Sequence, residues 1–216
     1  MHAVPIPSIE SGTGRLNIAN GAAVLHGFAL DDASALLEAV EAVRVAAPFR
    51  HLVTPGGHTM SVAMTNCGSL GWVSDRKGYR YAPLDPESGK PWPALPRIFE
   101  TLAERAAAEL GFSGYRPECC LINHYLPGTR LSLHQDRDEK DGVAPIVSVS
   151  LGLPATFLWG GFERSDKTTR IPLSHGDVVV WGGPSRMRFH GVAPVRDGEH
   201  PATGRCRINL TFRKVM

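Results

Sequence analysis

Two histidines and an aspartate have the residue types and the spacing of a metal site. His134 and Asp136 form a His-x-Asp motif at the end of the alternating segment 131–134. Residues i and i+2 of a strand point the same way, so both side chains share one face. His190 follows Asp136 by 54 residues, and the segments between them predict that it lies on another strand. Two histidines and one carboxylate leave three coordination positions of the metal open. This arrangement is typical of Fe(II) oxygenases, in which 2-oxoglutarate and O₂ must also bind the metal.

The sequence contains a second His-x-Asp match, formed by His175 and Asp177. This match comes directly before the apolar run 178–181, and a turn whose aspartate begins a strand explains it fully. We therefore predict that the earlier match, together with His190, supplies the metal ligands and the catalytic centre.

Polar and apolar residues alternate over the segment 207–213. Arg207, Asn209, Thr211 and Arg213 share one face of this predicted strand, and the three residues between them are Ile, Leu and Phe. A half-solvated strand with its polar face in water explains the pattern. Arginine also presents a planar fork that binds a carboxylate through two hydrogen bonds, so the same face suits a buried dicarboxylate. Beside a three-residue metal site, the second interpretation is favoured.

The composition is that of a globular protein with one domain. The chain has 216 residues, 43% of them hydrophobic, and no uninterrupted apolar run long enough for a membrane helix. No basic stretch followed by an apolar one resembles a signal peptide near the N-terminus, so we expect a cytoplasmic location, no membrane association and a monomer. The four cysteines show no C-x-x-C spacing, which favours reduced thiols.

The charge pattern neither demonstrates nor excludes a nucleic-acid partner. The net charge is only +2, so the chain as a whole has no strongly basic character. Residues 1–112 carry 9 basic and 11 acidic residues, whereas residues 113–216 carry 14 and 10. This asymmetry permits a phosphate-contacting face in the second half of the chain.

Apolar residues with a helical period predict two helices that pack on a sheet. The first is expected to begin at Asp31 or Asp32 as N-cap. Its predicted buried positions are Leu36, Leu37, Val40 and Val43. The second helix is expected to end at Gly111. Its predicted apolar positions are Leu95, Ile98, Phe99, Leu102, Ala106 and Leu110.

The rest of the chain predicts a mainly β structure of the α+β class. Residues 51–92 are rich in Gly, Pro, Thr and Tyr, which favours a functional lid. From residue 118 onward, short strands alternate with turns, and this spacing is typical of a jelly roll. The predicted strands are 119–125, 131–134, 146–151, 156–159, 177–181, 189–192 and 205–213. We predict a single domain over residues 1–216, with a lid at about 50–92 and a jelly-roll core over 116–213.

The combination of the metal motif with the arginine-bearing strand resembles the AlkB family of nucleic-acid dealkylases, which are Fe(II)/2-oxoglutarate-dependent dioxygenases. Four stretches of this sequence are similar to that family: 53–57 (VTPGG), 59–67 (TMSVAMTNC), 131–136 (LSLHQD) and 176–183 (GDVVVWGG). The likeness extends from about Pro48 to Arg213. It implies a double-stranded β-helix core, buttressed by the N-terminal helices and covered by a nucleotide-recognition lid. It also implies Fe(II), with 2-oxoglutarate and O₂ as co-substrates.

The resemblance implies that the substrate is an N-alkylated base such as 1-methyladenine or 3-methylcytosine, in single- or double-stranded DNA or in RNA. Such a base is cationic at neutral pH, and an aromatic face attracts a cation by about 0.5–2 kcal/mol. Trp72 and His134 would sandwich the base, with Tyr79 and Asp138 beside it. A tryptophan in a lid that serves only packing is the other interpretation of Trp72.

The resemblance assigns the remaining site residues by position. Arg207 and Arg213 would hold the carboxylates of 2-oxoglutarate, with hydrogen bonds from Asn123, Tyr125 and Asn209. The predicted substrate contacts also include Met64 and Glu139. Candidate phosphate contacts are Thr54, Tyr79, Arg130, Gln135 and Arg164, each of which could equally be an ordinary surface group.

Two positions depart from the pattern expected of close relatives, and three alternative functions stay open. His58 stands where a tyrosine is expected, and Arg188 stands where an aromatic residue is expected. These departures put the substrate range in doubt rather than the reaction class. The alternatives are an oxygenase of the same fold acting on RNA, protein or a small molecule, a jelly-roll binding module without metal, and a hydrolytic metalloenzyme.

Overall fold

The computed structural model describes residues 14–216, which form two antiparallel sheets, a separate hairpin and two helices. The larger sheet has eight strands in the spatial order β1-β2-β12-β9-β14-β7-β4-β3. Their bounds are β1 Gly14–Ala19, β2 Ala22–His26, β3 Arg50–Val53, β4 Thr59–Gly68, β7 Cys119–Tyr125, β9 Ile146–Gly152, β12 Val178–Trp181 and β14 Arg207–Arg213. The domain was predicted over residues 1–216, and residues 1–13 lie outside the described part of the chain.

The smaller sheet has four strands in the order β11-β10-β13-β8. Their bounds are β8 Leu131–His134, β10 Ala155–Trp159, β11 Thr169–Leu173 and β13 His190–Val192. Phe157 and Trp159 of this sheet share a buried cluster with Ile146, Val179 and Trp181 of the larger one. The two sheets therefore pack face to face, as the prediction of a mainly β jelly-roll core requires.

Side-chain alternation on the central strands sends apolar and polar residues to opposite faces of the larger sheet. On β14, Ile208, Leu210 and Phe212 join the core cluster that also contains the helices. The four polar residues of β14 therefore point the other way, toward the smaller sheet. They are all buried, so the half-solvated interpretation of this strand was wrong.

Two helices cover the apolar face of the larger sheet, which confirms their predicted role as buttresses. Helix α1 spans Ala33–Ala46 and α2 spans Arg97–Ala108. Asp32 occupies the N-cap position of α1, but its side chain makes no capping hydrogen bond. Its carboxylate instead accepts a hydrogen bond of 2.9 Å from Arg105 of α2, so it ties the helices together.

The segment between the helices is built in two parts. Strands β3 and β4 belong to the larger sheet, so they are part of the framework that supports the site. Strands β5, Gly71–Asp75, and β6, Gly78–Ala82, form a hairpin that is a sheet of its own. The lid assigned to residues 50–92 stays a prediction, and this hairpin is the part of it that lies outside both large sheets.

Seven strands among the described residues are not on the list of predicted strands: β1 to β6 and β11. Strand β11 contains Pro172, which lacks an amide hydrogen and is unusual inside a strand. It is an edge strand paired only with β10, where a proline is tolerated. Among residues 14–216, no helix has the length and apolar character needed to cross a membrane.

The packing of α2 on the larger sheet yields a stability prediction. The rings of Phe99 and Phe212 meet edge to face with centroids 5.7 Å apart, and both residues are fully buried. Replacing Phe99 by alanine should leave a cavity and lower the free energy of unfolding by about 3–5 kcal/mol. Val45 is 71% exposed, so Val45→Ala should change it by less than about 0.5 kcal/mol. Urea unfolding of both variants checks this, and equal midpoints would contradict it.

Candidate metal centre and co-substrate pocket

Neighbouring strands of the smaller sheet bring the three predicted metal ligands together. His190 on β13 lies directly opposite His134 on β8 in the antiparallel pair, and Asp136 follows β8 by two residues. The Nε2 atoms of His134 and His190 lie 3.7 and 3.6 Å from the carboxylate oxygens of Asp136. One ligand atom from each of the three residues lies within 4.8 Å of the other two. This spacing fits a single metal ion with all three ligands on one side of it.

Backbone carbonyl groups orient both imidazoles. Nδ1 of His134 lies 2.9 Å from the carbonyl oxygen of Ser132, and Nδ1 of His190 lies 3.0 Å from that of Arg188. An Nδ1–H that donates to a carbonyl leaves the Nε2 lone pair free, which is the usual arrangement around a metal-binding histidine. Both free Nε2 atoms face the carboxylate of Asp136, so the tautomers suit a metal.

The site favours the protonation states that bind a metal. Burial, together with the neighbouring His190, lowers the pKa of His134 to about 4. Burial opposes the charge on Asp136, but the Arg213 guanidinium holds the pKa of this carboxyl well below its usual range. At neutral pH the histidine is therefore uncharged and the aspartate ionised, as metal ligands must be.

The second His-x-Asp match serves a structural purpose, as predicted. Nδ1 of His175 accepts a hydrogen bond of 2.9 Å from the backbone of Gly152. The carboxylate of Asp177 accepts hydrogen bonds from the backbone of Gly27 and Ser174 at 2.9 and 2.8 Å. These contacts fix the turn before β12.

The two arginines of β14 lie buried next to the metal ligands. Nη2 of Arg207 donates to Ser150 over 3.0 Å, and its guanidinium lies 4.9 Å above the ring of Tyr125. Nη2 of Arg213 donates to Asp136 over 3.0 Å. Burial lowers the pKa of Arg207. Burial also opposes the charge on Arg213, but Asp136, Glu139 and the other acidic groups around it together raise the pKa of this guanidinium.

Several buried polar atoms around the metal ligands and the two arginines of β14 have no hydrogen-bond partner among the described residues. They are Arg207 Nε and Nη1, Arg213 Nη1, Asn123 Oδ1, Tyr125 Oη and Asp136 Oδ2. A buried polar group without a partner is unfavourable by about 1–3 kcal/mol, and more when it is charged. Guanidinium donors, a phenol and a carboxylate oxygen left together in this way fit a dicarboxylate such as 2-oxoglutarate and a metal ion. We infer that these residues hold both.

One cavity of about 460 Å³ unites almost all of the predicted site residues. The metal and co-substrate candidates that line it are His134, Asp136, His190, Asn123, Tyr125, Arg207, Asn209 and Arg213. The substrate candidates that line it are Thr54, Met64, Trp72, Tyr79, Gln135, Asp138 and Arg164. The phosphate candidate Arg130 also lines it. The size of the cavity is in the range of small-molecule sites.

The hairpin places an aromatic pair and a carboxylate at this cavity. The rings of Trp72 and Tyr79 are stacked with centroids 5.5 Å apart and an angle of 13°. Nε1 of Trp72 donates to Oδ2 of Asp138 over 2.9 Å. Because Tyr79 covers one face of the indole, a flat cationic group can be bound on the other.

Glu139 is buried away from the cavity, so the prediction that it contacts the substrate was wrong. Its side chain is only 2% exposed, and it is absent from the cavity lining. Its carboxylate accepts hydrogen bonds from Arg186 at 2.8 Å and from the hydroxyl of Tyr81. Arg213 Nε lies 3.3 Å from the same carboxylate. Its oxygens are therefore occupied by groups of the protein.

The side chains of the two departures from the family pattern lie outside the metal and co-substrate contacts. His58 is exposed in the turn between β3 and β4, where its backbone amide donates to Thr54 over 3.1 Å. Arg188 donates to the carbonyl of Gly160 over 2.8 Å and lies against the rings of Trp159 and Phe162. Arg188 thus packs on aromatic rings in place of the expected aromatic side chain.

The sequence interpretation missed several residues that support the site. Ser148 and Ser150 of β9 hydrogen-bond Asn209 and Arg207. Their i, i+2 spacing within an apolar strand could have identified them, because it marks one face. The sequence carries no comparable signal for Arg186, which is fully buried and donates to the carbonyl of Asp136 over 2.5 Å.

Comparison with protein families agrees with this geometry. The model of the 2OG-Fe(II) oxygenase superfamily matches residues 21–213. The chain is 56% identical over 197 residues to the alpha-ketoglutarate-dependent dioxygenase AlkB of Escherichia coli (strain K12), covering 91% of both chains. It is 46% identical over 181 residues to the AlkB homolog of Caulobacter vibrioides (strain NA1000 / CB15N), covering 83% of this chain and 80% of the relative.

The fold is also similar to a solved structure. The structure of OsALKBH1 superposes with a TM-score of 0.81 and 27% sequence identity, covering 93% of this chain and all of the other. The predicted mainly β fold with a jelly-roll core is thereby confirmed.

The two His-x-Asp matches provide a matched test of the metal site. Replacing His190 by alanine should weaken Mn(II) binding by more than about 100-fold, since even the loss of groups that orient metal ligands weakens binding by about 10–100-fold. His175→Ala should leave Mn(II) binding unchanged. Isothermal titration of the metal-free variants measures both. Equal affinities in the two variants would show that the ligands are misassigned.

The buried arginine of β14 provides a second test. Arg207→Lys keeps the positive charge but removes the planar fork, so 2-oxoglutarate should bind the Mn(II) protein about 10- to 100-fold more weakly. Arg205, two residues earlier, is exposed and forms a surface ion pair with Asp197. Arg205→Lys should therefore leave the affinity unchanged. Unaltered 2-oxoglutarate affinity in Arg207→Lys would remove Arg207 from the co-substrate site.

Proposed function

The chain belongs to the AlkB family of 2-oxoglutarate- and Fe(II)-dependent dioxygenases, and on this premise we propose that it oxidatively removes alkyl groups from N-alkylated nucleobases in DNA. The substrates proposed are bases such as 1-methyladenine and 3-methylcytosine, and the products are an aldehyde and the restored base. The observation that carries this proposal is the single cavity that joins the metal triad, the buried arginines and the stacked pair of Trp72 and Tyr79. The result is direct repair of alkylated DNA.

The iron and its co-substrates supply the oxidising chemistry, and the protein supplies ligands and orientation. His134, Asp136 and His190 would hold Fe(II). Arg207 and Arg213 would bind the carboxylates of 2-oxoglutarate, where their free guanidinium donors meet acceptors of opposite charge. Because these donors are buried, the co-substrate is bound in one orientation and water is excluded from around it.

The walls of the cavity favour a positively charged base. Alkylation of the relevant ring nitrogens gives the base a positive charge at neutral pH, whereas the normal base is neutral. The face of Trp72 and the carboxylate of Asp138 would stabilise that charge, the aromatic face alone by about 0.5–2 kcal/mol. An alkylated base also pairs badly, so it leaves the helix more easily than a normal base. Selection of damaged bases therefore requires little reading of sequence.

Cationic and polar side chains around the same cavity would contact the flanking phosphates. Thr54, Gln135, Arg130 and Arg164 line it, and the guanidinium of Arg164 lies 5.5 Å from the ring of Phe189. Contacts to phosphates position a nucleic acid without reading its bases. This agrees with recognition of the lesion rather than of a sequence.

The oligomeric state and the cellular location stay predictions. A monomer is the default for a single domain, and a cytoplasmic location accords with four cysteines that form no disulfide among the described residues.

The proposal is tested with synthetic oligonucleotides that carry 1-methyladenine or 3-methylcytosine. With Fe(II), 2-oxoglutarate and O₂, the protein should release formaldehyde and restore the unmodified base, and omission of any of the three should abolish release. His134→Ala should lower the rate by at least about 100-fold, because the metal loses a ligand. Val45→Ala, on the exposed face of α1, should retain the full rate.

Single-stranded DNA, double-stranded DNA and RNA oligonucleotides with the same lesion form the substrate series. Greater formaldehyde release from RNA would favour the alternative of an RNA-directed oxygenase. Absence of formaldehyde from every oligonucleotide, beside an active control enzyme, would exclude the proposed function. Succinate release with protein or small-molecule substrates would then support the other alternative.

A further inference from the structure

We propose that Tyr81 and Glu139 link the β5–β6 hairpin to the co-substrate pocket, so that binding of the nucleic acid and binding of 2-oxoglutarate strengthen each other. Tyr81, Glu139, Arg186 and Arg213 are termed the anchor network. The proposal rests on the proposed function, since it assigns the hairpin to substrate binding and the arginine to co-substrate binding. Tyr81 is a positioning residue in this scheme and touches neither ligand.

The centre of the anchor network is the buried carboxylate of Glu139. Oε1 accepts the hydrogen bond of the Tyr81 hydroxyl, and Oε2 accepts one of 2.8 Å from Nη2 of Arg186. Nε of Arg213 lies 3.3 Å from Oε1. The side chains of Glu139 and Arg186 are each only 2% exposed, so these interactions are shielded from solvent and are strong.

On one side, the anchor network reaches the metal and co-substrate groups. Arg213 donates to Oδ1 of Asp136 over 3.0 Å, and Arg186 donates to the backbone carbonyl of the same residue over 2.5 Å. Nη1 of Arg213 stays without a partner among residues 14–216 and belongs to the cavity that would hold 2-oxoglutarate. One guanidinium therefore connects the co-substrate, a metal ligand and Glu139.

On the other side, the anchor network holds the hairpin that carries the aromatic pair. Tyr81 on β6 lies directly opposite Trp72 on β5. Trp72 donates to Asp138 and Tyr81 donates to Glu139, so two consecutive residues after the metal motif hold the two members of one cross-strand pair. Movement of the hairpin must therefore displace the segment that follows Asp136.

The two strands of the hairpin are attached differently. Asn66 of β4 makes two hydrogen bonds of 3.0 Å with the backbone of Trp72, which fixes β5 to the larger sheet. Arg80 of β6 pairs with Asp75 inside the hairpin. Among the described side chains of β6, Tyr81 alone donates a hydrogen bond outside the hairpin. The carbonyl of Ala82 also accepts a hydrogen bond of 2.9 Å from Nε1 of Trp92, so loss of the Tyr81 hydroxyl should loosen β6 without detaching it, while β5 stays attached.

A network shared by two sites couples their binding free energies. A co-substrate carboxylate on Arg213 fixes the position of its guanidinium, and with it Glu139 and Tyr81. A base bound against Trp72 fixes the same groups from the hairpin side. Binding of the second ligand therefore loses less conformational entropy than binding of the first. Such coupling is reciprocal, and its usual size is about 5- to 150-fold in affinity.

Tyr81→Phe removes only the hydroxyl and keeps the ring and every charge of the anchor network. Tyr115→Phe is the matched control, because Tyr115 is 5% exposed, its hydroxyl has no partner in the described chain, and it lies outside the cavity. Affinity for 2-oxoglutarate is measured by titration of the Mn(II) protein, with and without an oligonucleotide that contains 1-methyladenine. The parent protein and Tyr115→Phe should bind 2-oxoglutarate at least about 5-fold more tightly with the oligonucleotide present. In Tyr81→Phe this ratio should fall to about 1.

Amide hydrogen exchange of residues 71–82 provides a readout without turnover. In the metal-free protein, Tyr81→Phe should accelerate exchange of the hairpin roughly 10-fold, since a hydrogen bond to a charged group is lost. Mn(II) and 2-oxoglutarate should slow this exchange in the parent protein and in Tyr115→Phe, but not in Tyr81→Phe.

The outcomes separate this proposal from a structural role and from the proposed function. Parent-like coupling and hairpin exchange in Tyr81→Phe would overturn it, and so would a lower unfolding midpoint with unchanged coupling. Failure of the proposed function is recognised independently, as absence of formaldehyde release by the parent protein. The exchange experiment needs no oligonucleotide, so a hairpin slowed by co-substrate only when Tyr81 is present would support the link even then.

Discussion

The ion pair between Asp136 and Arg213 joins the two sheets at the point where the site is built. Arg213 ends β14 in the larger sheet, and Asp136 follows β8 in the smaller one. A buried ion pair loses its hydration, so it is favourable only where further hydrogen bonds satisfy the remaining donors and acceptors. Arg186 supplies one of them, to the backbone carbonyl of Asp136, and the carboxylate of Glu139 adds a second ion pair to Arg213 at 3.3 Å. The proposed metal ligand, the proposed co-substrate arginine and the proposed hairpin anchor therefore share one set of buried charges.

Much of the site could be predicted because its residues follow the two-residue period of a strand. His134 and Asp136 share a face, and so do Arg207, Asn209 and Arg213. Spacing alone did not show that the polar face of β14 is buried, since a solvated strand has the same alternation. Burial is decided by the smaller sheet, which packs over that face. The pairing of His190 with His134 likewise depends on the register of β8 and β13, which no local pattern encodes.

The sequence does not predict which acidic residues near the metal motif face the cavity and which pair with other groups of the protein. Asp138 and Glu139 are adjacent acidic residues, and both were expected at the substrate. Asp138 reaches the cavity, whereas Glu139 turns into the protein and meets Arg186, which lies 47 residues further along the chain. That division follows from tertiary packing. Sequence periodicity does not contain it, because consecutive residues in a loop can point in any direction.

The free donors of Arg207 and Arg213 imply that affinity and stability oppose each other in this fold. Each buried donor without a partner is unfavourable in the folded protein, and a carboxylate ligand removes that penalty when it binds. Arg207 has no acidic partner among the described residues, so replacing it by an apolar residue can stabilise the fold while it weakens binding. A ligand that binds only the folded state also raises stability by mass action. The unpaired donors that the core tolerates around β14 would thus supply the proposed affinity for a dicarboxylate, and the guanidinium of Arg207 is held against the ring of Tyr125.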